Sequence, residues 1–124
     1  MIPTKITDLG FGSIMIDGET YTKDIMLNHG KVEKRKKKPS KKYRDEFGGH
    51  TPLTTEENIS WECEVLVVGI GHDGALPIAK SVMDKAQKKG VELKIFQTPD
   101  AIEYLNSLKK SDLKRTNAIL HLTC

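Results

Sequence analysis

The sequence predicts an α/β fold: a three-layer domain built around a mixed sheet. From residue 62 onward, apolar strands alternate with amphipathic helices, and before that point a strong hairpin signal stands among shorter apolar segments. Strands and helices that alternate with short links imply right-handed crossovers and therefore parallel strands. We expect a single domain over 1–124, with an N-terminal β-hairpin region at 1–60 and a β-α-β-α-β core at 61–124.

The C-terminal half begins with a Val-rich strand and a helix. In the strand predicted at 64–68, Glu64 is followed by a continuous apolar run, as is typical of a strand buried on both faces. The helix that follows is predicted to be capped by Asp73 and closed by Gly90 after two lysines. Its buried stripe is predicted from apolar residues recurring three and four positions apart, namely Ala75, Ala79, Val82, Met83 and Ala86.

A second strand, a second helix and a third strand complete this half. The strands are predicted at 91–96 and 118–122. Thr98 is predicted to cap the helix between them with its hydroxyl, because Pro99 follows at the first helical position. The buried stripe of this helix comprises Ala101, Ile102, Leu105 and Leu108.

The first half is less regular. Asp17-Gly18 between 13–16 and 19–21 predicts a two-residue hairpin turn, and 24–27 predicts another strand. The run 54–57, Thr-Thr-Glu-Glu, resembles a capping box over a short helix ending near Ile59. We find no internal repeat and no independent second core, so this half should pack on the same sheet.

Three features of the second half stand out together: the glycine turn after the Val-rich strand, Gln97-Thr98 with Ala101, Asn106 and Leu108, and the sequence His121-Leu122-Thr123-Cys124. In this order they resemble the motifs of one small family. It includes archaeal and bacterial proteins of unknown function, the adipogenesis-associated domain protein of animals and a mitochondrial respiratory complex I assembly factor. The resemblance implies a three-layer α/β fold, no agreed enzymatic activity and a role in protein–protein contacts.

The glycine turn is the first candidate site. Its Gly-x-Gly-x-x-Gly spacing lies after a strand and before a helix, where a dinucleotide-binding motif stands. That motif needs an acid after the next strand, where this chain has Gln97 and Thr98. A tight βα turn is therefore the favoured interpretation, and a small anionic or polar ligand is the alternative. The candidate contacts are Gly69, Gly71, Asp73, Gly74 and Thr98.

His121 and Cys124 form a weaker candidate. They would reach the same sheet edge if the last strand is parallel to its neighbours. Positions three apart on a strand point to opposite faces, so a thiol–imidazole contact needs a bend. The four histidines and two cysteines show no paired ligand spacing. We expect no metal and no cofactor, and no catalytic residue is assigned.

A basic arm stands at 31–46. It carries nine Lys/Arg against three acids, a local charge of +6, whereas the remaining chain has 11 basic and 14 acidic residues and sums to −3. Such a run attracts nucleic-acid phosphates, although a lysine-protected edge strand or solvated arm is the more economical interpretation. The candidate nucleic-acid contacts are Lys34, Arg35, Lys36, Lys37 and Lys38.

Composition limits the compartment and the partner. No apolar run approaches the roughly 20 residues of a membrane helix, and the N-terminus shows no secretory signal. Cys63 and Cys124 are too sparse for a disulfide framework, so we expect free thiols in the cytoplasm and no membrane partner.

Three functional hypotheses follow from these observations. The leading one is a non-enzymatic binding or assembly domain acting through a protein partner or as a homo-oligomer. One alternative is an enzyme or small-ligand binder that uses the glycine turn. The other is nonspecific nucleic-acid binding through the basic arm.

Overall fold

In the computed structural model, residues 5–124 form eight strands, three α-helices and one 3-10 segment. Residues 1–4, which belong to the predicted domain and to the segment inspected for a secretory signal, lie outside this description. The strands are β1 (Ile6–Gly10), β2 (Ser13–Ile16), β3 (Glu19–Tyr21), β4 (Ile25–Asn28), β5 (Lys31–Lys34), β6 (Val65–Gly69), β7 (Glu92–Phe96) and β8 (Thr116–Leu120). The helices are α1 (Lys80–Lys89), α2 (Thr98–Ser107) and α3 (Lys110–Leu113), and the 3-10 segment is Lys38–Phe47.

A five-stranded mixed sheet lies at the centre, in the order β5-β4-β8-β6-β7. β6 is parallel to both β7 and β8, while β4 is antiparallel to β8 and β5. The parallel β-α-β-α-β half predicted from the sequence is therefore confirmed. The first half adds to it in two ways: β4 and β5 extend the sheet, whereas β1, β2 and β3 form a separate antiparallel sheet.

Two apolar cores cover the two faces of the central sheet, because successive strand residues point to opposite sides. Val67 faces the core formed with α2 and the three-stranded sheet. Leu66 and Val68 face the core formed with α1 and the loop around Leu53. This arrangement gives the three layers that the sequence predicts.

The Asp17-Gly18 hairpin is confirmed. Asp17 has φ 50° and Gly18 has φ 86°, and β2 pairs with β3 in antiparallel register on either side of the turn. Both central residues of this turn type need positive φ, which Asp and Gly tolerate better than most residues.

The first predicted helix forms and ends before Gly90, but its predicted start is wrong. α1 begins at Lys80 rather than near Asp73, because the preceding segment is extended and exchanges backbone hydrogen bonds with Leu53 through Pro77 and Ala79. Met83, predicted to be buried, is 46% exposed. The short helix predicted after the capping box at 54–57, ending near Ile59, does not form, since the Glu57 side chain pairs with Arg35 instead of capping a helix.

Candidate functional site

The carboxyl ends of three parallel strands meet at one edge of the sheet. Because β8 is parallel to β6, His121 lies at the same edge as the glycine turn and Thr98. The Thr98 hydroxyl accepts a hydrogen bond from the Gly71 N–H (2.8 Å) and donates one to the His121 carbonyl (2.6 Å). Thr98 is fully buried, and Gln97 occupies the cap position of α2 without a side-chain bond. The prediction that Thr98 caps the helix is therefore wrong, since its hydroxyl joins two strand ends.

The glycine turn receives the segment that follows β8. The N–H of His72 donates to the Thr123 carbonyl (2.8 Å), and those of Asp73 and Ala75 donate to the Cys124 main-chain oxygen (3.1 and 2.9 Å). Gly71 has φ 103°, and a Cβ at this position would lie 2.4 Å from the Cys124 carbonyl carbon. Amides that would face a phosphate in a dinucleotide motif are thus engaged within the chain. As ligand contacts, Gly69, Gly71, Asp73, Gly74 and Thr98 stay a prediction.

Asp24 connects the β4 side of the sheet to His121. Its Oδ2 lies 2.7 Å from His121 Nδ1, and its Oδ1 accepts the Leu122 N–H at 2.9 Å. Burial alone would raise the pKa of Asp24, but the bonds from His121 and Leu122 and the charge of Arg35 hold that pKa below its ordinary value. An ionised carboxylate only accepts hydrogen bonds, so Nδ1 carries the proton and Nε2 faces the Thr123 hydroxyl at 3.3 Å.

Arg35 turns inward from the basic arm. Its guanidinium forms two bonds to Glu57 (2.8 and 3.0 Å), one to Asp24 (3.0 Å) and one to the Pro52 carbonyl (3.2 Å). Its side chain is only 1% exposed. Burial would lower the pKa of Arg35, yet the bonds and charges of Glu57 and Asp24 raise it above its ordinary value. Arg35 was predicted to contact nucleic acid together with the neighbouring lysines, but it is not one of the exposed cations of the arm.

Ser40 extends this buried network into the 3-10 segment. Its hydroxyl donates to Glu57 Oε2 (2.6 Å) and lies 2.7 Å from Thr54 Oγ1. Arg35 and Ser40 thus hold the basic arm on both sides of Lys36, Lys37 and Lys38, so the arm is fixed to the fold at two points.

The fixed arm forms one wall of an open cleft of about 560 Å³, which we call the basic cleft. Asp24, Arg35 and His121 lie among its lining residues, together with Thr123. Within 5–124, none of its six lysines forms an ion pair. These lysines are Lys23, Lys34, Lys36, Lys37, Lys38 and Lys41.

His121 and Cys124 do not form the thiol–imidazole pair considered from the sequence. The His121 ring is engaged by Asp24 and Thr123, while both residues line a smaller adjoining cleft of about 210 Å³. Cys63 and Cys124 are free thiols, and burial raises the pKa of Cys63. Across the part of the chain that the structure describes, no three His, Cys, Asp or Glu residues are grouped to hold a metal ion.

Sequence analysis missed Asp24 and Glu57 as partners of this site. Glu57 was assigned to a capping box, and Asp24 was read only as the start of a strand. The available signal was the rarity of buried acids, since a Glu beside Leu53 and Ile59 needs a cation. Nothing in the sequence distinguishes Arg35 from the lysines around it as that cation.

The model of a family described as "Protein of unknown function (DUF498/DUF598)" matches residues 6–121. The chain belongs to this family. A conserved hypothetical protein of Pyrococcus horikoshii is 31% identical, with a TM-score of 0.81 over 97% of this chain and 99% of that one. A structure named MT938 is 28% identical, with a TM-score of 0.73 over 98% and 99% of the two chains.

A less similar solved structure shows the fold alone. A Bordetella pertussis protein described as a Mth938-like domain is 18% identical, with a TM-score of 0.60 over 96% of this chain and 85% of that one. The expectation of a small α/β family of unknown function is thus confirmed. Its extension to the animal and mitochondrial proteins stays a prediction. No helix in 5–124 is long and apolar enough to cross a membrane.

Proposed function

We propose that this DUF498/DUF598 domain is a non-enzymatic binding domain that captures an acidic segment of a protein partner in the basic cleft. The observation that carries the proposal is the group of six lysines around one cleft, none of them in an ion pair with a residue of 5–124. Uncompensated like charges held on a fixed wall favour a ligand of opposite sign.

The side chains of Asp24 and Arg35, which we call the floor of the cleft, favour ligand binding over catalysis. Asp24 is committed to His121, Leu122 and Arg35, and the Arg35 guanidinium is committed to three acceptor groups. These pairs keep the floor rigid and leave the lysine ammonium groups as the donors available to a ligand. The resemblance to an assembly factor points the same way, and free thiols fit a cytoplasmic partner.

Nonspecific nucleic-acid binding is the second candidate, because Lys34, Lys36, Lys37 and Lys38 are all exposed. Base stacking has little support, since the Tyr43 hydroxyl bonds to Glu56 and its ring lies 5.3 Å from the Lys42 ammonium.

A titration separates the two candidates. A dodecapeptide of alternating Glu and Gly and an RNA of the same total charge are titrated into the protein at low and moderate salt. We expect the peptide to bind and to shift the amide resonances of 34–41 and 121–123. Lys36→Glu with Lys38→Glu should weaken peptide binding about tenfold or more, because two attractive contacts become repulsive.

The matched control reverses two exposed lysines at the start of α3 that do not line the basic cleft, Lys109→Glu with Lys110→Glu, and should leave peptide affinity nearly unchanged. Tighter binding of RNA than of peptide, lost in the cleft variant, would replace the proposal with the nucleic-acid function. Binding of neither ligand would overturn both.

A further inference from the structure

An open slot lies between two unpaired strand edges next to the basic cleft. In the two sheets of 5–124, β3 pairs only with β2, and β5 pairs only with β4. The slot has a volume of about 320 Å³ and is lined from both strands, by Thr20 and Tyr21 of β3 and by Val32 to Lys34 of β5. It shares Lys23 and Lys34 with the basic cleft, so the slot and the cleft adjoin.

The free edge of β5 presents backbone groups to this slot. In an antiparallel pair, opposite residues alternate between hydrogen-bonded and non-hydrogen-bonded positions. The Arg35 N–H donates to the Asp24 carbonyl at 2.9 Å, which sets the phase of this alternation. The opposed pairs Lys34–Ile25 and Val32–Leu27 are therefore the non-bonded ones. The N–H and C=O groups of Val32 and Lys34 point away from β4, toward a possible added strand.

The side chains of the slot divide it into two chemical parts. Tyr21, Ile25 and Val32 give it an apolar floor that belongs to the core on this face. Lys23 and Lys34 stand where the slot opens into the cleft. Glu33 also lines the slot, so acidic residues of a ligand are favoured at the lysine end and an apolar residue at the other.

We propose that the partner segment is an extended acidic peptide carrying one apolar anchor residue, and that it adds as a strand to the free edge of β5. This inference rests on the proposed function and specifies the partner. The anchor enters the space beside Tyr21, Ile25 and Val32, while the acidic residues continue along the lysines of the cleft. Strand addition supplies main-chain bonds and side-chain pockets supply selectivity.

The first test uses an acidic dodecapeptide with a single Leu and three modified forms. Replacing Leu by Asn should weaken binding about tenfold, because a buried apolar contact is lost. The other two forms carry N-methyl groups at two positions beside the Leu, either on one set of alternate residues or on the other set. One of these two peptides should lose most of its binding and the other should lose little. Only one set of alternate peptide residues donates backbone hydrogen bonds to β5, and losing two such bonds weakens the affinity roughly tenfold or more.

The second test changes the protein. Lys34→Pro removes an outward N–H without removing a bond to β4, and an edge strand tolerates proline there. Lys34→Ala controls for the lost charge. We expect Lys34→Pro to bind the Leu peptide at least fivefold more weakly than Lys34→Ala, with equal circular dichroism spectra.

Strand addition would be overturned if the two N-methylated peptides bound equally well and Leu→Asn had no effect. Peptide binding in the basic cleft would still stand in that case. Failure of every acidic peptide to bind would overturn the proposed function itself.

Discussion

Arg35 and its two carboxylate partners attach the basic arm to the sheet. A lysine could not replace this side chain, because only a guanidinium presents a planar fork of donors to one carboxylate while reaching a second. The sequence shows Lys-Arg-Lys-Lys-Lys as one uniform run of charge, so it could not identify which member is buried. The deciding partners are 11 and 22 positions away.

Arg35→Met tests this attachment. Removing one partner leaves Glu57 buried without its cation, so we expect the free energy of unfolding to fall by about 3 kcal/mol. Lys36→Met, an exposed neighbour, should change it by no more than about 0.5 kcal/mol. Urea unfolding of both variants measures the difference. A similar small effect at both positions would contradict the role assigned to Arg35.

Thr98 is tested by a pair of substitutions. Thr98→Val keeps the shape but leaves the Gly71 N–H and the His121 carbonyl without their partner, at a cost of about 2 kcal/mol. Thr98→Ser keeps the hydroxyl and should cost about 1 kcal/mol for the lost methyl. Thermal and urea unfolding report both values, and a Ser variant less stable than the Val variant would refute the bridging role.

Asp24 predicts a pH dependence. Its folded-state pKa lies below its ordinary value of 3.8, so its ionised form stabilises the fold above that pH. This stability is lost as the pH falls through the lower folded-state pKa. We expect the stability gap between the wild type and Asp24→Asn to be largest near neutral pH and to shrink below about pH 4. A gap that stays constant down to pH 2 would contradict the shift.

At the scale of elements, the strands of the C-terminal half were easier to predict than the beginning of α1. The spacing of apolar residues predicts β6, β7 and α2, because that spacing indicates which faces of a strand or helix are buried. The start of α1 does not, because the bonds of Pro77 and Ala79 to Leu53 hold that segment extended, and Leu53 is more than 20 positions away. A long-range backbone pairing thus overrides the local preference of this segment for a helix.

The glycine turn gives a prediction at this scale. The positive φ of Gly71 and the closeness of Cys124 exclude a side chain at this position. Gly71→Ala should lower the free energy of unfolding by about 3 kcal/mol and speed amide exchange at 121–124. Gly18→Ala, with φ 86° and no heavy atom within 4 Å of the added Cβ, should cost only about 1 kcal/mol. Equal costs would contradict the packing argument.

At the scale of the whole molecule, the fold class and the location of the positive charge were predictable from the sequence, but the candidate site was not. The sequence predicted the three layers and located the positive charge, because both depend on composition and period. It could not predict that Asp24, Arg35 and His121 meet, since β4 and β8 become neighbours only in the finished sheet. The candidate site is thus a product of topology, and its residues come from segments nearly 100 positions apart.

The position of β8 in the sheet also bears on how the chain folds. β8 comes last among the strands in sequence, yet it lies between β4 and β6 and joins the β4–β5 hairpin to β6 and β7. Until β8 is in place, neither half of the sheet can complete its pairing, so the rate-limiting step must close a long loop. Folding should accordingly be slow for a chain of this length and cooperative across both halves.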